Sequence, residues 1–443
     1  MTGAVRRFVG RFLPEGAAVL SVLIFGSYVM GLVRDRIFAR TFGAGSDLDA
    51  YNAAFVLPEL LLDVLVEAGL AAPFIPIFLG LRTRVDGGEA DRFARTILTG
   101  AVTVMGVAAA VMFIFAEATT SFIAPGFAGS QRELYVSLFR VMLVTPILFA
   151  ASLTLGQVLL AEQRFLWYGI APLLYNAGII LGTVAFGGLG IVGPAIGAVI
   201  GALAHLASRF IGLRNSTFRI GLGASFRTGS VREFVRLMLP KMASHPVEPM
   251  TFLFFTSVAT TLAAGSVTAV SFARNFQSVP VSLIGVGFAL AVFPALSKAH
   301  AAGDRGAFLR LLSTNLVSIT VLTTAAAVVL AAVGELAIRV LLGGGAFDAE
   351  DVALTSAVLA AFAISIPFES LTHLLSRAIY ATHHTLLQVL ASLAGVGITV
   401  GATQLLLAEL GIVAIPVGFA IGQVGKVVLL ALALAVRLRR WTP

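Results

Sequence analysis

The chain has 443 residues, 58% of them hydrophobic and 12% charged, with a mean hydropathy of +0.98. Average soluble domains carry about 25% charged residues. Half that charge cannot coat a protein of this size, which excludes a soluble globular enzyme. The absence of cysteine excludes a disulfide framework, an iron–sulfur cluster and thiolate zinc. The net charge of +8 comes from 30 basic residues, nearly all arginine, against 22 acids, and it reads as membrane topology before nucleic-acid binding.

At roughly 20 apolar residues per crossing, the length accommodates about a dozen helices. Twelve apolar stretches are predicted, at 17–39, 51–81, 95–117, 134–161, 165–187, 190–213, 234–262, 264–297, 309–333, 352–380, 385–408 and 411–436. They are too long and continuous for the period-two alternation of barrel strands, so the expected fold is an all-α polytopic membrane protein. Arg6, Arg7 and Arg11 ahead of the first stretch resemble a signal sequence, but no small-residue cleavage site precedes Arg34, so an uncleaved first helix is expected. Arg34, Arg36, Arg40, Arg132 and Arg339 fall on the outer side, and Arg140, Lys241, Arg274 and Lys426 fall inside spans. The remaining basic residues, Arg209 among them, fall on the cytoplasmic side, which puts both termini there. The polar stretch 214–233 separates an N-terminal lobe, 1–214, from a C-terminal lobe, 233–443, with 215–232 as cytoplasmic linker.

The halves resemble each other at an offset near 220. Ala72-Pro73-Phe74-Ile75-Pro76 answers Ala291-Val292-Phe293-Pro294, and Gly178 with Gly182 answers Gly397 with Gly401. Gly190-Ile191-Val192, Gly197, Gly201 and His205 answer Gly411-Ile412-Val413, Gly418, Gly422 and Lys426 at a constant 221. The GxxxG spacing puts two small residues on one helix face and permits close backbone approach. Six spans per half give both halves the same orientation, two parallel bundles around a central cavity, as in an alternating-access transporter.

A charge at mid-bilayer costs about 2.5–3.5 kcal/mol and needs a cavity or a partner. Glu59, Asp63 and Glu67 share one face of span two, where they either pair with Arg34, Arg36 and Arg40 or serve an ion. Asp49 reads as the N-cap of span two. Arg140 lies in span four, and Arg274 and Gln277 lie in span eight. Lys241, His245 and Glu248 sit among Pro240, Pro246 and Pro249 in span seven, a broken helix with polar contents, and Glu369 with His373 forms a further polar pair. His205 and Lys426 stand at repeat-equivalent depths, where they either line the cleft or each bond a carbonyl within their own lobe. There is no P-loop, HExxH or CxxC, so no catalytic residue, metal site or cofactor is expected. A sodium or proton gradient or the membrane potential is the expected energy source. Ion-coupling candidates are Glu59, Asp63, His245, Glu248 and Glu369.

Gly31-Leu-Val-Arg34-Asp35, Ala39-Arg40-Thr-Phe-Gly43-Ala-Gly45, Asp49-Ala50, Leu57-Pro58 and Glu67-Ala-Gly69 resemble the opening of the MurJ/MviN lipid II flippases, in the multidrug/oligosaccharidyl-lipid/polysaccharide exporter superfamily. Ala124-Pro125-Gly126-Phe127, Arg164-Phe165, Ala171-Pro172, Asn176, Gly265-Ser266-Val267, Pro294-Ala-Leu-Ser297-Lys298 and Gly345-Ala-Phe347-Asp348 continue the resemblance across all twelve spans. It implies two six-helix lobes and a cationic cavity that carries the pyrophosphate-sugar head of an undecaprenyl-linked peptidoglycan precursor across the bacterial inner membrane. Arg34, Asp49 and Glu67 match the family's polar positions, and with Arg36, Arg40, Arg140, Arg274, His205 and Lys426 they make up the substrate-binding candidates.

Other positions depart from the pattern. The family's arginines in spans one, two and eight fall on Tyr28, Leu62 and Asn275, its span-two lysine on Val56 and its span-eight glutamate on Ser278. Two further helices that many relatives carry are not expected after span twelve. Expected partners are a lipid-linked glycan, membrane lipids and cell-wall synthesis proteins, with no nucleic acid. The competing expectations are a flippase for another lipid-linked oligosaccharide, an ion-coupled multidrug exporter, and a scaffold that has lost transport. Reporter fusions at Gly129 and Gly344 should read outside, and one at Gly223 inside; a reversed result at any of the three breaks the topology.

Overall fold

Backbone N–H and C=O groups find no water in hydrocarbon, so a chain this apolar must satisfy them within helices. The computed structural model describes residues 15–64, 68–83, 88–244, 247–382 and 384–439, and among them regular structure is helical apart from one isolated bridge between Gly344 and Phe347. The first half contains α1 (Glu15–Phe42), α2 (Ser46–Leu62), α3 (Ala68–Arg82), α4 (Gly88–Ile114), α5 (Ala116–Ile123), α6 (Gly129–Met142), α7 (Val144–Ala161), α8 (Phe165–Gly169), α9 (Ala171–Ala185) and α10 (Val192–Leu213). The second contains α11 (Gly229–Ser244), α12 (Val247–Ala259), α13 (Ser266–Pro280), α14 (Gly287–Ala301), α15 (Arg305–Leu341), α16 (Ala349–Ala363), α17 (Ile366–Ala381), α18 (Thr385–Leu410) and α19 (Ala414–Arg439).

Several stretches that read as single spans are interrupted. A π-helical segment, Val281–Val286, follows Pro280 between α13 and α14, where the proline withholds a backbone donor. The α16–α17 pair bends by 42°. Among the described residues, eight helical runs are long and apolar enough to cross a membrane, or nine if that bent pair forms one span. One of the eight, Leu386–Arg439, has 54 residues and would measure about 80 Å if straight, over twice a bilayer core. It reverses at Gly411 (φ 52°), so that α18 and α19 pack side by side. Arg209, assigned from sequence to a cytoplasmic segment, belongs to α10 and is buried.

The helices cluster into two compact units, one of described residues up to Phe38 and from Ala50 to Pro249, the other of 39–49 and Met250 onward. The first has a core of Phe74, Phe78, Phe93, Phe218 and Phe234, whose rings meet at centroid distances of 5.4–6.4 Å. The second packs around Leu296, Phe308, Ile319, Leu374, Ile379 and Leu430.

The segment 39–49 is clasped into the second unit. Asp49 is not the N-cap of its own helix, which begins at Ser46. Its buried carboxylate accepts from Gly265 N (2.7 Å), Thr268 N (2.8 Å) and Thr268 Oγ1 (2.7 Å), capping α13 instead, where the dipole and the free N–H groups favour an anion. Ala44 N donates to Asp351 Oδ2 at 2.9 Å, and Ala346 N to Arg40 O at 2.8 Å. Gly265 (φ 89°) must be glycine, because a Cβ there would sit 2.2 Å from Ala44 O.

The repeat is visible as helix packing, with its register corrected. A Cβ on Gly201 would lie 2.5 Å from Tyr175 O, one on Gly178 2.3 Å from Gly201 Cα, and one on Gly182 2.4 Å from Gly197 Cα, so α9 and α10 meet backbone to backbone. In the second unit Gly418 faces Thr403 and Gly422 faces Thr399. Gly178 and Gly182 therefore answer Thr399 and Thr403 at the same offset of 221, not Gly397 and Gly401, which have open space around them. Gly197→Val should cost about 1–3 kcal/mol of stability through overpacking, while Gly397→Val should change little. Thermal unfolding of the purified variants compares them, and equal losses would undo the register.

Candidate functional site

Each unit holds a polar cluster built on an arginine. In the first, α1 presents Arg34, whose Nε and Nη2 donate to Asp35 Oδ1 at 3.0 and 2.8 Å while Nη1 reaches Asn176 Oδ1 on α9 at 3.3 Å. Asn176 is oriented by donating to Pro172 O at 3.1 Å. The Tyr51 ring packs edge-on against Phe38 at 5.2 Å, and its buried hydroxyl lies within electrostatic reach of Arg34 without a hydrogen-bond partner. Tyr175 is within reach of both Arg34 and Glu59. Glu59 is exposed, and Asp63 and Arg36 are half-buried. Glu67 lies outside the described residues, so the acidic stripe is described only as far as Asp63.

Deeper in the same unit, His205 does not stand open. It is 4% exposed, its Nδ1 is 2.7 Å from Ser152 Oγ, and its ring meets Phe149 at 4.9 Å. Arg209, one turn further along α10, is 1% exposed and stacks over Tyr168 at 5.0 Å. Its Nη1 donates to Trp167 O and Tyr168 O at 2.7 and 2.8 Å, and its Nε to Ser152 Oγ at 3.3 Å. The break between α8 and α9 frees those carbonyls, so a guanidinium is solvated by backbone rather than by water. The arginines in the flanking loops drew Arg209 into their tally. Its position on the buried face with Gly201 and His205, at i+4 steps, was the signal that places it in the helix.

In the second unit Arg274 on α13 and Glu369 on α17 form a bidentate ion pair at 2.7 and 3.0 Å, with side chains 15% and 3% exposed. Gln277 contacts Arg274 through Oε1 and donates from Nε2 to Glu369 Oε2 (2.7 Å) and Ser365 Oγ (3.1 Å). The guanidinium also lies over the rings of Phe252 and Phe419, at 4.9 and 5.3 Å. The cluster sits where helices break: Gln277 is one turn before the π-helical segment, and Ser365 is at the bend between α16 and α17. Asn275, the position of the family's arginine, is exposed, and Ser278 is half-buried. Arg274 is turned away into the pair with Glu369.

The other candidates are placed singly. Arg40 donates to Gly343 O at 3.0 and 3.2 Å and belongs to the clasp. Arg140 is half-buried over Phe113 at 5.3 Å, its Nε without a hydrogen-bond partner. Lys426 is half-buried, and its Cβ would lie 3.1 Å from a Cβ on Gly395. His245 and the side chains of Lys241 and Glu248 lie outside what is described. Tyr28 is 67% exposed, and Val56 and Leu62 are half-buried.

What the clusters offer chemically is two guanidinium groups, each already matched by one carboxylate and positioned by an amide. A planar guanidinium can exchange a carboxylate for a phosphate oxygen pair without changing its geometry.

The family model described as lipid II flippase MurJ matches residues 38–441. The chain is 24% identical to a probable lipid II flippase MurJ of Rickettsia prowazekii over 92% of this chain and 81% of that protein. It is 29% identical to one of Thermotoga maritima, over 81% and 72% respectively. Its fold is similar to a solved lipid II flippase MurJ in an inward closed conformation, with a TM-score of 0.79 at 22% identity, covering 94% of this chain and 87% of that one. It is equally similar to an inward-facing multidrug resistance MATE family transporter of the MOP superfamily, with a TM-score of 0.80 at 15% identity, covering 93% and 94%.

Glu369→Gln should lower stability by about 3–5 kcal/mol, because it leaves a guanidinium buried without its counter-charge. Replacing both partners together, Arg274→Met with Glu369→Leu, should recover most of that loss. Thermal unfolding of the purified single and double variants reads the difference, and a double variant weaker than the single would show that the pair is not the unit of stability.

Proposed function

The chain belongs to the MurJ lipid II flippase family, and we propose that it moves a lipid-linked peptidoglycan precursor, lipid II, across the bacterial inner membrane. The observation that carries this reading is the family match from residue 38 to 441, which takes in the second polar cluster and Asn176 of the first, while Arg34 and Asp35 lie just ahead of it. In the proposed topology the chain crosses twelve times with both termini cytoplasmic, and the two lobes expose the head group to each side in turn while the lipid tail stays in the bilayer. The protein acts as a transporter and not as a catalyst.

The head group's pyrophosphate carries at least two negative charges. Arg34 is the first contact we assign to it, with Asn176 holding the guanidinium while the pair to Asp35 opens. An inside-negative potential drives an anion outward, and for two charges that contributes about 4.6 kcal/mol per 100 mV. The membrane potential is therefore a sufficient energy source, with a sodium or proton gradient through Glu59, Asp63 or Glu369 as the alternative. Cell-wall synthesis proteins are the proposed protein partners.

A second reading, a flippase for another lipid-linked oligosaccharide or an ion-coupled drug exporter, is favoured by Tyr28, Val56, Leu62, Asn275 and Ser278, which stand where the family has charges. Complementation separates the two. Expression in cells depleted of their lipid II flippase should restore growth, and Arg34→Ala should abolish the rescue at unchanged protein level. Growth with Arg34→Ala removes Arg34 from the site, and failure of the parent protein, present in normal amount, favours the second reading.

A further inference from the structure

We propose that residues 219–227, between α10 and α11, form a strap that lies in the head-group layer of the bilayer and binds anionic phospholipid. The segment is non-helical and runs along the start of α4, which satisfies its backbone with side chains. Arg219 N donates to Asp91 Oδ2 (3.1 Å), Gly223 N to Thr99 Oγ1 (2.9 Å) and Ser225 N to Thr96 Oγ1 (3.2 Å), while Arg95 Nε donates to Arg219 O (2.6 Å). Gly221, Gly223 and Ser225, all small, are half-buried beside α4. A Cβ on Gly223 would lie 2.7 Å from Thr96 N, so the strap is pressed onto the helix.

The residues at 220, 222, 224 and 226 are exposed, and all are apolar. Ile220, Leu222 and Phe226 are 38%, 83% and 51% exposed, and Ala224 is exposed with them. A water-facing strand would show the opposite alternation, polar out and apolar in. The strap's depth identifies what covers this face. It touches α4 from Asp91 to Gly100, where Phe226 comes within reach of a Cβ on Gly100. Nine residues of helix correspond to about 13 Å of rise, and α4 carries no charge from Ile97 to Ile114. The apolar face thus descends beside a spanning helix from its polar end into its apolar part, which is the boundary between head groups and acyl chains.

Charge identifies the lipid. Arg219 and Arg227 bracket the apolar face, and Arg214, Arg232 and Arg236 are exposed around it, against Glu233 as the exposed acid of the same stretch. Basic residues beside an apolar interfacial face select anionic head groups. The strap lies within the first unit, in the non-helical stretch between α10 and α11.

The chain has no cysteine, so Leu222→Cys and, as a control, Thr217→Cys can each carry a single nitroxide in the full-length protein in vesicles. Collision with oxygen, which concentrates in the bilayer, is compared with collision with a water-soluble nickel chelate. In vesicles of phosphatidylcholine with phosphatidylglycerol, the oxygen-to-chelate ratio at position 222 should be several-fold above that at 217. The ratio should fall in phosphatidylcholine alone, and in Arg219→Gln with Arg227→Gln. A label at 222 as open to the chelate as the label at 217 overturns the proposal. A label shielded from both reagents also overturns it, by showing that protein covers the face. Equal ratios in the two vesicle types overturn the assignment to anionic lipid.

Discussion

A guanidinium in hydrocarbon cannot stay alone. Its transfer costs about 2.5–3.5 kcal/mol even on insertion scales, and the arrangement of helices follows from how the buried arginines are matched. Arg34 carries its carboxylate on the next residue and uses its remaining donor to hold α9 through Asn176. Arg274 reaches across 95 positions to Glu369 and so fixes α13 to α17. Arg209 has carbonyls for partners, at the break between α8 and α9. Helix interruption and charge placement are thus one device, since a broken helix exposes the acceptors that a buried cation needs, and a buried cation stabilises the break.

The second constraint is distance. Lipid tails are as apolar as leucine, so helix association in a membrane rests on close packing and hydrogen bonds. The two units solve this at equivalent places with different residues. On α9, Gly178 and Gly182 let α10 approach backbone to backbone, while on α18 the equivalent positions are Thr399 and Thr403, and they face Gly422 and Gly418. Thr399 spends its hydroxyl on Gly395 O at 2.9 Å, within its own helix. The first unit thus has only glycines at these positions of the seam, and the second keeps two hydroxyls there.

How much of this could be read from the sequence depended on range. Apolar runs are local, and the fold class and the GxxxG faces at an offset of 221 follow from them, whereas the polar stretch 214–233 runs on into α11, which begins at Gly229. The turn of α18 against α19 was equally legible, because Gly411 repeats Gly190. Pairings across the fold were not legible. Glu369 looked like the partner of its own helix neighbour His373, and Asp49 like the cap of the helix it begins, because sequence offers only the nearest geometric option. The match of Gly178 and Gly182 with Gly397 and Gly401 failed for a related reason. Gly397 and Gly401 are identical in type to Gly178 and Gly182 but stand two residues off the constant offset, and a shift of two residues turns a helix by about 200° and carries both glycines off the packed face. The strap's outward apolar alternation stands in the sequence as Ile220, Leu222, Ala224 and Phe226, but its meaning depended on Thr96 and Thr99 fixing which side faces out.

The segments that carry the family resemblance also have a physical identity. Ala39–Gly45, Asp49, Gly265–Val267 and Gly345–Asp348 are separated by hundreds of residues and meet in one clasp. What they share is backbone: carbonyls placed too near for a Cβ, and one carboxylate capping a helix. Such a junction tolerates few substitutions whatever passes through the protein. Tyr28, Leu62 and Asn275, where the resemblance places charges in the family, take no part in the hydrogen bonds of the clasp. Part of the family resemblance therefore lies in residues that hold helices together, while Arg34, with Asp35 and Asn176, stands apart from that clasp.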